Sequence, residues 1–376
     1  MEIAELGEFG LIRRLTEEIK PENKSTVKGV GDDCAVLDYG GPNRVLVTTD
    51  MLMEGVHFDL QYMPLKHLGY KSIMVNLSDI YAMMGTPRQV TVSLALSKRF
   101  TVEDVETLFA GMRLACEQHH VDLVGGDTTS SLTGLAISIT AIGEARPLDI
   151  VYRDGAKPTD LICVSGNLGA AYMGLQLLER EKAIFNSQRL TPNPSLAERG
   201  IGSTANKGDN VATPLPDREG QGESSFQPDF SGREYILERQ LKPEARRDIV
   251  EALQKAGIRP TAMMDISDGL SSELLHICTQ SHTGCRIYEE RIPLDYQTAV
   301  MAEELNMNVT TCALNGGEDY ELLFTVPLTD HERVEQLADV KVIGYVTEPT
   351  LGCALITRDG QELELKAQGW NPLKEE

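Results

Sequence analysis

The spacing of apolar and polar positions over the first 147 residues predicts a domain of mixed helices and strands. Helical spacing indicates three helices, and short or alternating apolar runs indicate four strands. The predicted helices are 3–19, 66–84 and 101–118, and the predicted strands are 45–47, 89–96, 122–124 and 135–142. Thr101 and Asp104 form a capping-box pattern at the start of the third helix. We therefore expect an α+β domain that ends near residue 147.

The remainder of the chain continues to alternate helices with strands. The predicted helices are 169–185, 243–256, 270–280, 294–305 and 331–338, and the predicted strands are 161–164, 262–264, 320–326, 342–346 and 354–357. Such an order buries sheets under layers of helices. The predicted fold class is therefore α/β, built as α+β layers in two domains, 1–147 and 148–376.

One stretch, 186–233, departs from this pattern. Of its 48 residues, 21 are Pro, Gly, Ser or Asn, and no apolar periodicity is present. Such a composition cannot bury enough apolar surface to order a chain. We expect a flexible surface insertion without secondary structure.

The chain carries 57 acidic and 35 basic residues, a formal net charge of −22. Because no long basic stripe is present, binding to nucleic acid is disfavoured. An anionic ligand would be repelled by this negative charge unless a cation lay between them, and a divalent metal ion is the obvious candidate. The alternative is that the excess of acidic residues only keeps the protein soluble.

Several features predict a cytoplasmic protein. The longest apolar runs are too short to span a membrane, and the first 19 residues contain five glutamates in place of the basic start and apolar run of a secretory signal. The seven cysteines are odd in number and form no CxxC pair, which favours a reducing compartment. We expect neither membrane nor nucleic acid as a partner.

Acidic side chains recur at the ends of predicted strands and inside one apolar helix. Asp33 follows a glycine turn, and Thr48, Thr49 and Asp50 end a short strand. These patterns also suit an ordinary turn or a helix cap. Asp79 is more informative, because a helix that is apolar on almost all sides is buried, and a buried carboxylate needs a cation or strong donors. A buried structural salt bridge is the alternative for Asp79.

Three further clusters combine acids with glycines. They are Gly125-Gly126-Asp127 after a strand, the DISD segment 265–268 at the start of a helix, and the GGED segment 316–319. Glycines at a strand end let a phosphate approach the backbone, whereas the later two clusters also suit a helix cap or a hairpin turn. Together the clusters place at least six acids at element ends, which is typical of multi-oxygen magnesium sites for phosphates. The patterns GxxxxGK[ST], HExxH and GxSxG are absent. Their absence excludes a P-loop enzyme and the hydrolase mechanisms that depend on the other two motifs.

Seven motifs follow one another in a recognisable order outside the insertion. They are GVGDDCA at 29–35, TD at 49–50 with EGVHF at 54–58, VNLSDIYAMMG at 75–85, GGDTT at 125–129, RDGAKP at 153–158, DISDGL at 265–270 and GGEDYEL at 316–322. With these motifs the chain resembles the thiamine-monophosphate kinase family of the aminoimidazole ribonucleotide synthetase superfamily. The resemblance implies a two-domain fold of that superfamily, with an N-terminal ATP- and Mg²⁺-binding domain whose mixed sheet forms a homodimer and a C-terminal α/β domain.

The resemblance also implies an activity, which is transfer of the ATP γ-phosphate to thiamine monophosphate, giving thiamine diphosphate and ADP. By position in the motifs, several Mg²⁺ ions would be held by Asp33, Thr48, Thr49, Asp50, Asp79, Asp127, Asp265 and Asp268. ATP would contact Gly126, Asp127, Arg153 and Ser267, and thiamine monophosphate would contact His57, Glu318 and Trp370. The catalytic residues would be Asp50, Asp79, Asp127 and Arg153.

Other interpretations of the same residues predict different products. A ribonucleotide cyclo-ligase of the same superfamily is compatible with the motifs but explains Gly-Gly-Glu-Asp less well. A metal-dependent phosphatase would release free phosphate without an acceptor. A non-catalytic nucleotide sensor would bind ATP tightly without turnover.

Overall fold

The structure, a computed structural model, describes residues 3–190 and 230–367. Its first part is built on a six-stranded sheet. The elements are α1 (Ile3–Thr16), β1 (Thr26–Lys28), β2 (Ala35–Leu37), β3 (Arg44–Met53), α2 (Leu65–Ala82), β4 (Thr86–Leu96), α3 (Val102–His119), β5 (Asp122–Ser130) and β6 (Ala136–Ala145). The strand order is β1-β2-β3-β6-β4-β5, and all neighbours are antiparallel except the parallel pair β4 and β5.

Strand β6 shows why this sheet has one covered and one open face. Ile137, Ile139 and Ala141 are buried, whereas the alternate residues Ser138 and Thr140 are only half-buried. Successive strand residues point to opposite faces, so one face is apolar and the other is mostly polar. Helix α2 packs on the apolar face, and α3 packs against α2.

Two glycines let α2 and α3 approach each other closely. A Cβ added at Gly69 in α2 would overlap the carbonyl oxygen of Leu108 in α3, and a Cβ added at Gly111 in α3 would overlap the carbonyl oxygen of Lys66 in α2. Between α3 and the sheet, α2 is buried on almost every side. A helix in such a place has to satisfy each polar side chain that it carries.

The second part of the chain is built on a seven-stranded sheet. Its elements are β7 (Leu161–Ser165), α4 (Ala170–Leu190), α5 (Glu234–Leu241), α6 (Arg247–Ala256), β8 (Ala262–Ile266), α7 (Leu270–Ser281), β9 (Gly284–Tyr288), α8 (Tyr296–Glu304), α9 (Val309–Asn315), β10 (Glu321–Val326), α10 (His331–Glu335), β11 (Val340–Thr347), β12 (Cys353–Ile356) and β13 (Glu362–Glu364). The strand order is β13-β12-β9-β11-β7-β10-β8, with β9 and β12 as the parallel pair.

The largest apolar core runs from one sheet to the other. Ile73 and Leu77 of α2 belong to the same buried cluster as Met263 of β8 and Phe324 of β10. The predicted domain boundary at residue 147 falls in the connection between β6 and β7, on the surface of this shared core. A continuous apolar interface favours a fixed relation between the two sheets, and it places the end of α2 beside β8.

The predicted α/β fold class is confirmed, and every predicted helix and strand is present with ends shifted by up to six residues. The largest shifts are in β3 and β5, which each continue six residues past the predicted end, so the prediction that Thr48, Thr49 and Asp50 end a strand and that Gly125, Gly126 and Asp127 follow one is wrong: both segments lie inside strands. The prediction for 186–233 is wrong at its start, because α4 continues to Leu190, as a helix extends readily once it has formed. Residues 191–229 lie outside the described residues. The sequence did not predict β1, β2, α5, β9, α9 or β13, which are all short. Among the described helices, none has both the length and the apolar character that crossing a membrane requires.

Candidate active site between the two sheets

Three aspartates from distant parts of the chain meet between the sheets. Asp33 lies in the loop before β2, Asp79 in the last turn of α2 and Asp265 in β8. Each offers a carboxylate oxygen, and these oxygens all lie within 4.8 Å of one another. Asp33 and Asp265 are buried, and Asp79 is half-buried. The structure thus brings together three of the residues predicted to bind metal, and their role as ligands stays a prediction.

Hydroxyl groups orient two of these carboxylates. Thr48 Oγ1, in β3, donates a hydrogen bond of 2.5 Å to Asp79 Oδ2, and Ser78 Oγ donates one of 2.5 Å to Asp265 Oδ2. Ser78 and Asp79 are adjacent in a helix that is buried on almost every side. Helix α2 therefore supplies one carboxylate and positions another that belongs to the second sheet.

Two basic side chains balance part of the negative charge. The Arg153 guanidinium donates to Asp33 Oδ1, and the Arg153 main-chain N–H donates to Asp32 Oδ2 at 3.5 Å. Lys28 Nζ lies 3.5 Å from Asp32 Oδ2. Arg153 Nε and Asp33 Oδ2 are buried and have no hydrogen-bond partner among the described residues. Because buried polar atoms are normally paired, this donor and this acceptor are available to a ligand.

Burial and mutual repulsion raise the pKa values of the aspartates. Burial, followed by the charges of Asp50, Asp265 and Asp33, raises the pKa of Asp79 well above its usual range. Burial raises the pKa of Asp50 to about 6, and burial together with the Asp33 charge raises the pKa of Asp265 to about 7. For Asp33, burial raises the pKa while Arg153 lowers it. The protein's own cations therefore do not neutralise the site, and a bound cation would.

The donors fit a magnesium ion. They are carboxylate and hydroxyl oxygens, which are the ligands that Mg²⁺ prefers, and Asp33 Oδ2 is buried without a partner in the described part of the chain. Asp33, Asp79 and Asp265 would hold the ion, with Thr48 and Asp50 beside them. Asp50 lies on the same face of β3 as Thr48, since the two are two residues apart in one strand.

Thr49, Gly126 and Asp127 are not part of this cluster. The Thr49 side chain points to the open face of the first sheet, where its hydroxyl donates to the Ile139 carbonyl oxygen at 3.1 Å. Gly126 and Asp127 lie in β5, the exposed edge strand, where Asp127 is in register with the exposed Ser93 of β4. The order β3-β6-β4-β5 puts three strand spacings, about 14 Å, between β3 and β5. Their roles in metal and ATP binding stay predictions.

The loop between β8 and α7 carries Ser267 and Asp268 beside the cluster. The Asp268 main-chain N–H donates to Glu273 Oε1 at 2.8 Å, and the Glu318 N–H donates to the Ser267 carbonyl oxygen at 2.7 Å. A Cβ at Gly317 would overlap that same carbonyl oxygen. The two motif loops therefore pack backbone against backbone, and only glycine fits at this contact.

Glu318 lies next to the acidic cluster and is held by two partners. Lys71 Nζ lies 3.0 Å from Glu318 Oε1, and Gln240 Nε2 donates to Glu318 Oε2 at 3.0 Å. Lys71 is only 1% exposed, and its ammonium group also donates to the Gln240 carbonyl oxygen. Burial and then the charges of Glu318 and Asp50 raise the pKa of Tyr320, so both carboxylates lie near the Tyr320 hydroxyl.

The other two residues predicted to bind the substrate are placed differently. His57 lies in the turn after β3, where its Nδ1 accepts a hydrogen bond of 3.0 Å from the Met53 N–H. This turn extends the strand that carries Thr48 and Asp50. Trp370 lies outside the described residues.

Sequence reasoning missed four residues that shape the site, namely Lys71, Asn76, Ser78 and Glu273. Asn76 and Ser78 lie in α2 inside the 75–85 motif, and Asn76 Oδ1 accepts the Asp50 main-chain N–H at 3.1 Å. The argument that singled out Asp79, a charge in an apolar helix, applies equally to Lys71. Glu273 follows the DISDGL motif by one turn, and burial and then Asp268 raise its pKa well above the usual range.

The chain is similar to proteins of one family over nearly its whole length. Residues 31–145 match the AIR synthase related protein, N-terminal domain. A thiamine-monophosphate kinase of Aquifex aeolicus is 34% identical over 98% of this chain and 99% of its own length, and one of Bacillus subtilis is 30% identical over 98% and 100%. A solved structure of AaThiL complexed with AMPPCP and TMP matches with a TM-score of 0.75 and 33% identity, covering 99% of this chain and 98% of that one. The chain therefore belongs to the thiamine-monophosphate kinase family.

Proposed function

We propose that this chain transfers the γ-phosphate of ATP to thiamine monophosphate in a Mg²⁺-dependent reaction that gives thiamine diphosphate and ADP. The observation that carries the proposal is the meeting of Asp33, Asp79 and Asp265 between the two sheets, with their oxygens within 4.8 Å of one another. The relatives named thiamine-monophosphate kinase support it, as does the AaThiL structure with AMPPCP and TMP.

Both reacting groups are phosphates, so electrostatic repulsion between them is a large part of the barrier. When bound, Mg²⁺ supplies positive charge between the two reactants. Asp33, Asp79 and Asp265 would hold the ion, with Asp50 beside them, and the Thr48 and Ser78 hydroxyls fix the orientation of the Asp79 and Asp265 carboxylates. Asp268 is a further proposed ligand beside the cluster, and Thr49 and Asp127, on the open face and the edge strand of the first sheet, are proposed ligands of additional ions.

Arg153 is positioned to bind the triphosphate. One of its terminal nitrogens pairs with Asp33, which leaves the buried Nε without a partner among the described residues. A guanidinium held by a carboxylate on one side presents its remaining donors in a fixed direction, which suits phosphate oxygens. Gly126 and Ser267 contribute backbone and hydroxyl contacts to the same nucleotide.

The acceptor needs no strong general base. Its attacking oxygen belongs to a phosphate that is already ionised at neutral pH, so the transfer is in line and has no covalent enzyme intermediate. Glu318, held by Lys71 and Gln240, offers a carboxylate to the cationic thiazolium ring. His57 and Trp370 are the other proposed contacts of the acceptor.

The proposed assembly is a homodimer that forms through the open face and edge of the first sheet. Met51, Met53, Leu123 and Val124 expose between 37% and 57% of their surface there, which is more than isolated apolar side chains on a free surface require. A second copy would cover this face. The free thiols of the described cysteines support action in the cytoplasm.

The experiment that tests the activity is incubation of the full chain with ATP, Mg²⁺ and thiamine monophosphate, followed by identification of the products. ADP and thiamine diphosphate in equal amounts are expected. Release of inorganic phosphate at an unchanged level of thiamine monophosphate would favour a phosphatase. Tight ATP binding without product would favour a nucleotide sensor. Either outcome would overturn the proposed kinase activity.

A further inference from the structure

A second group of possible metal ligands lies where α7 packs on the seven-stranded sheet, and all of its members are cysteines. Cys278 is in the last turn of α7, Cys285 is in β9 and Cys353 begins β12. Their three Sγ atoms lie within 4.8 Å of one another. Cys278 and Cys285 are buried, and Cys353 is partly exposed. We propose that Cys278, Cys285 and Cys353 form a thiolate site for one soft divalent cation of the Zn²⁺ type, separate from the acidic site for Mg²⁺.

The backbone brings the three sulfur atoms together on one face of the sheet. β9 and β12 are parallel neighbours with Cys285 and Cys353 directly opposite each other, and the Cys285 N–H donates to the Gly352 carbonyl oxygen at 3.1 Å. Side chains of directly opposite residues lie on the same face of a sheet. Cys278 reaches that face from the end of α7, which packs against β9. No rearrangement of elements is needed to bring the thiols together.

The triangle of sulfurs suits one central ion better than a disulfide. Two sulfurs bound to one tetrahedral Zn²⁺, with Zn–S bonds of about 2.3 Å, are about 3.8 Å apart. A disulfide needs a separation of about 2.0 Å between two sulfurs and leaves the third unpaired. Three sulfurs that are all within 4.8 Å of one another fit the first arrangement with small side-chain movements.

Arg286 braces this site and supplies positive charge. Its guanidinium donates to the carbonyl oxygens of Cys285, Leu351 and Gly352 at 2.8–3.0 Å, so it ties β9 to the turn before β12. Arg286 also pairs with Glu362, so its positive charge is shared between that carboxylate and the site, whose three thiolates and one divalent cation would carry a net charge of −1.

Thr283 provides an oxygen next to the sulfurs. Its buried Oγ1 lies beside the Cys278 thiol but makes no hydrogen bond of normal geometry to that thiol or to any other group in the described part of the chain. Buried hydroxyls are normally paired. The unpaired oxygen is therefore available as a fourth donor, directly or through a water molecule, where a tetrahedral ion needs one.

The choice of metal follows from the donor type. Thiolates select Zn²⁺ and other soft cations, whereas Mg²⁺ prefers oxygen. The two ends of α7 would therefore serve different metals, since the DISDGL loop at its start belongs to the acidic site and Cys278 lies in its last turn. A metal at the far end would fix α7 against β9 and β12.

The test is titration of the reduced, metal-free full chain with Co²⁺ and Zn²⁺ in excess Mg²⁺, which keeps the carboxylates occupied. Co²⁺ bound to thiolates gives a charge-transfer absorption in the near ultraviolet that carboxylate ligands do not give. We expect one Co²⁺ per chain with this absorption, its complete displacement by one Zn²⁺, and a rise of several degrees in Tm with Zn²⁺.

Variants separate this site from the other cysteines. Cys353→Ser, at the partly exposed position, and Cys278→Ala should each weaken Co²⁺ binding at least a hundredfold and remove the Zn²⁺-dependent rise in Tm. Cys116→Ala changes a buried cysteine outside the cluster and should bind as the unmodified chain does. Absence of the charge-transfer absorption, an unaltered affinity in both cluster variants, or a disulfide among the three under reducing conditions would each overturn the proposal.

Discussion

Helix α2 holds the Asp79 carboxylate among three other carboxylates. This position favours binding of a cation but lowers the stability of the free protein. Burial and the charges of Asp50, Asp265 and Asp33 all oppose its ionisation, and only the Thr48 hydroxyl favours it. Buried charges of this kind are retained where they bind a cation. The free protein and the ligand-bound protein should therefore respond in opposite ways to the loss of this charge.

We predict that Asp79→Asn lowers kcat for thiamine diphosphate formation at least about a hundredfold, the scale on which removal of one preorganised charge-stabilising group acts. Without metal, the same substitution should leave the free energy of unfolding unchanged or raise it, because asparagine keeps an oxygen for the Thr48 hydroxyl and removes an acid whose ionisation the fold opposes. Steady-state kinetics and urea unfolding in EDTA check the two halves. Near-normal turnover would contradict the role of Asp79, and strong destabilisation without metal would contradict the electrostatic argument.

Glu318 should affect one substrate and not the other. We predict that Glu318→Gln raises KM for thiamine monophosphate at least about tenfold, since a charged hydrogen-bond partner is worth about 1.5–3 kcal/mol, and leaves KM for ATP within about twofold. The amide keeps the size of the side chain but not its charge. Glu290→Gln, at an exposed glutamate outside the site, is the matched control. Equal effects on both substrates would show that Glu318 supports the site as a whole and does not select the acceptor.

At the scale of elements, the crossing of α2 and α3 determines where the acidic site can form. α2 supplies Asp79, orients Asp265 through Ser78 and Asp50 through Asn76, and pairs Lys71 with Glu318. Its depth against the first sheet depends on the two glycine contacts with α3. A small displacement of α2 would therefore disturb its contacts with both sheets at once.

We predict that Gly111→Ala lowers the free energy of unfolding by about 3 kcal/mol, because the new methyl group meets the Lys66 carbonyl oxygen and overpacking of a close contact is expensive. Urea unfolding monitored by circular dichroism checks this value. Glu106→Ala, at an exposed position of α3, should change stability by less than about 0.5 kcal/mol. Equal stability of the two variants would mean that the helices can separate freely at the crossing.

At the scale of the whole molecule, the buried acids couple stability to pH. Asp265 has an ordinary pKa of 3.8 when unfolded and about 7 in the metal-free fold. Between these values the folded state binds more protons than the unfolded state, so this group stabilises the fold below about pH 4 and loses that contribution as pH rises to about 7. His67, His119 and His276, whose pKa values burial lowers, act in the opposite direction.

The contribution of Asp265 can be isolated with Asp265→Asn. We predict that, in EDTA, the free energy of unfolding of the variant rises relative to that of the unmodified chain by up to about 1.4 kcal/mol per pH unit between pH 4 and 7. Urea unfolding at pH 5, 6 and 7 measures this slope, and saturating Mg²⁺ should reverse the order of the two proteins at pH 7. A difference that does not vary with pH would contradict the raised pKa.

The open face of the first sheet is where a second copy should bind. We predict that Val124→Arg, in the exposed edge strand β5, converts the proposed dimer into a monomer, since it places a charge in an apolar contact. Leu328→Arg changes an equally exposed apolar residue of the second part and should leave the mass unchanged. Sedimentation velocity gives the mass. A dimer in both variants would place the interface elsewhere.

Local pattern predicted most of the elements, because apolar spacing reports directly which face of a helix or strand is buried. The motifs also identified the family, which the comparisons confirm. The missed strands β1, β2 and β13 have only three residues each, which is too short for a period to be visible. The prediction at 186–190 failed because polar residues extend a helix that apolar residues upstream have begun.

The sequence by itself determined which residue types are available for chemistry, and Asp79 could be singled out because a charge in an apolar helix has few explanations. Only the tertiary structure decided which of these residues meet. The strand order separates Asp127 from Asp33, Asp79 and Asp265 within one chain, and it joins three cysteines that looked scattered. The physical reason is that periodicity encodes burial within an element, whereas the pairing of strands and the depth of α2 depend on contacts between residues far apart in the chain.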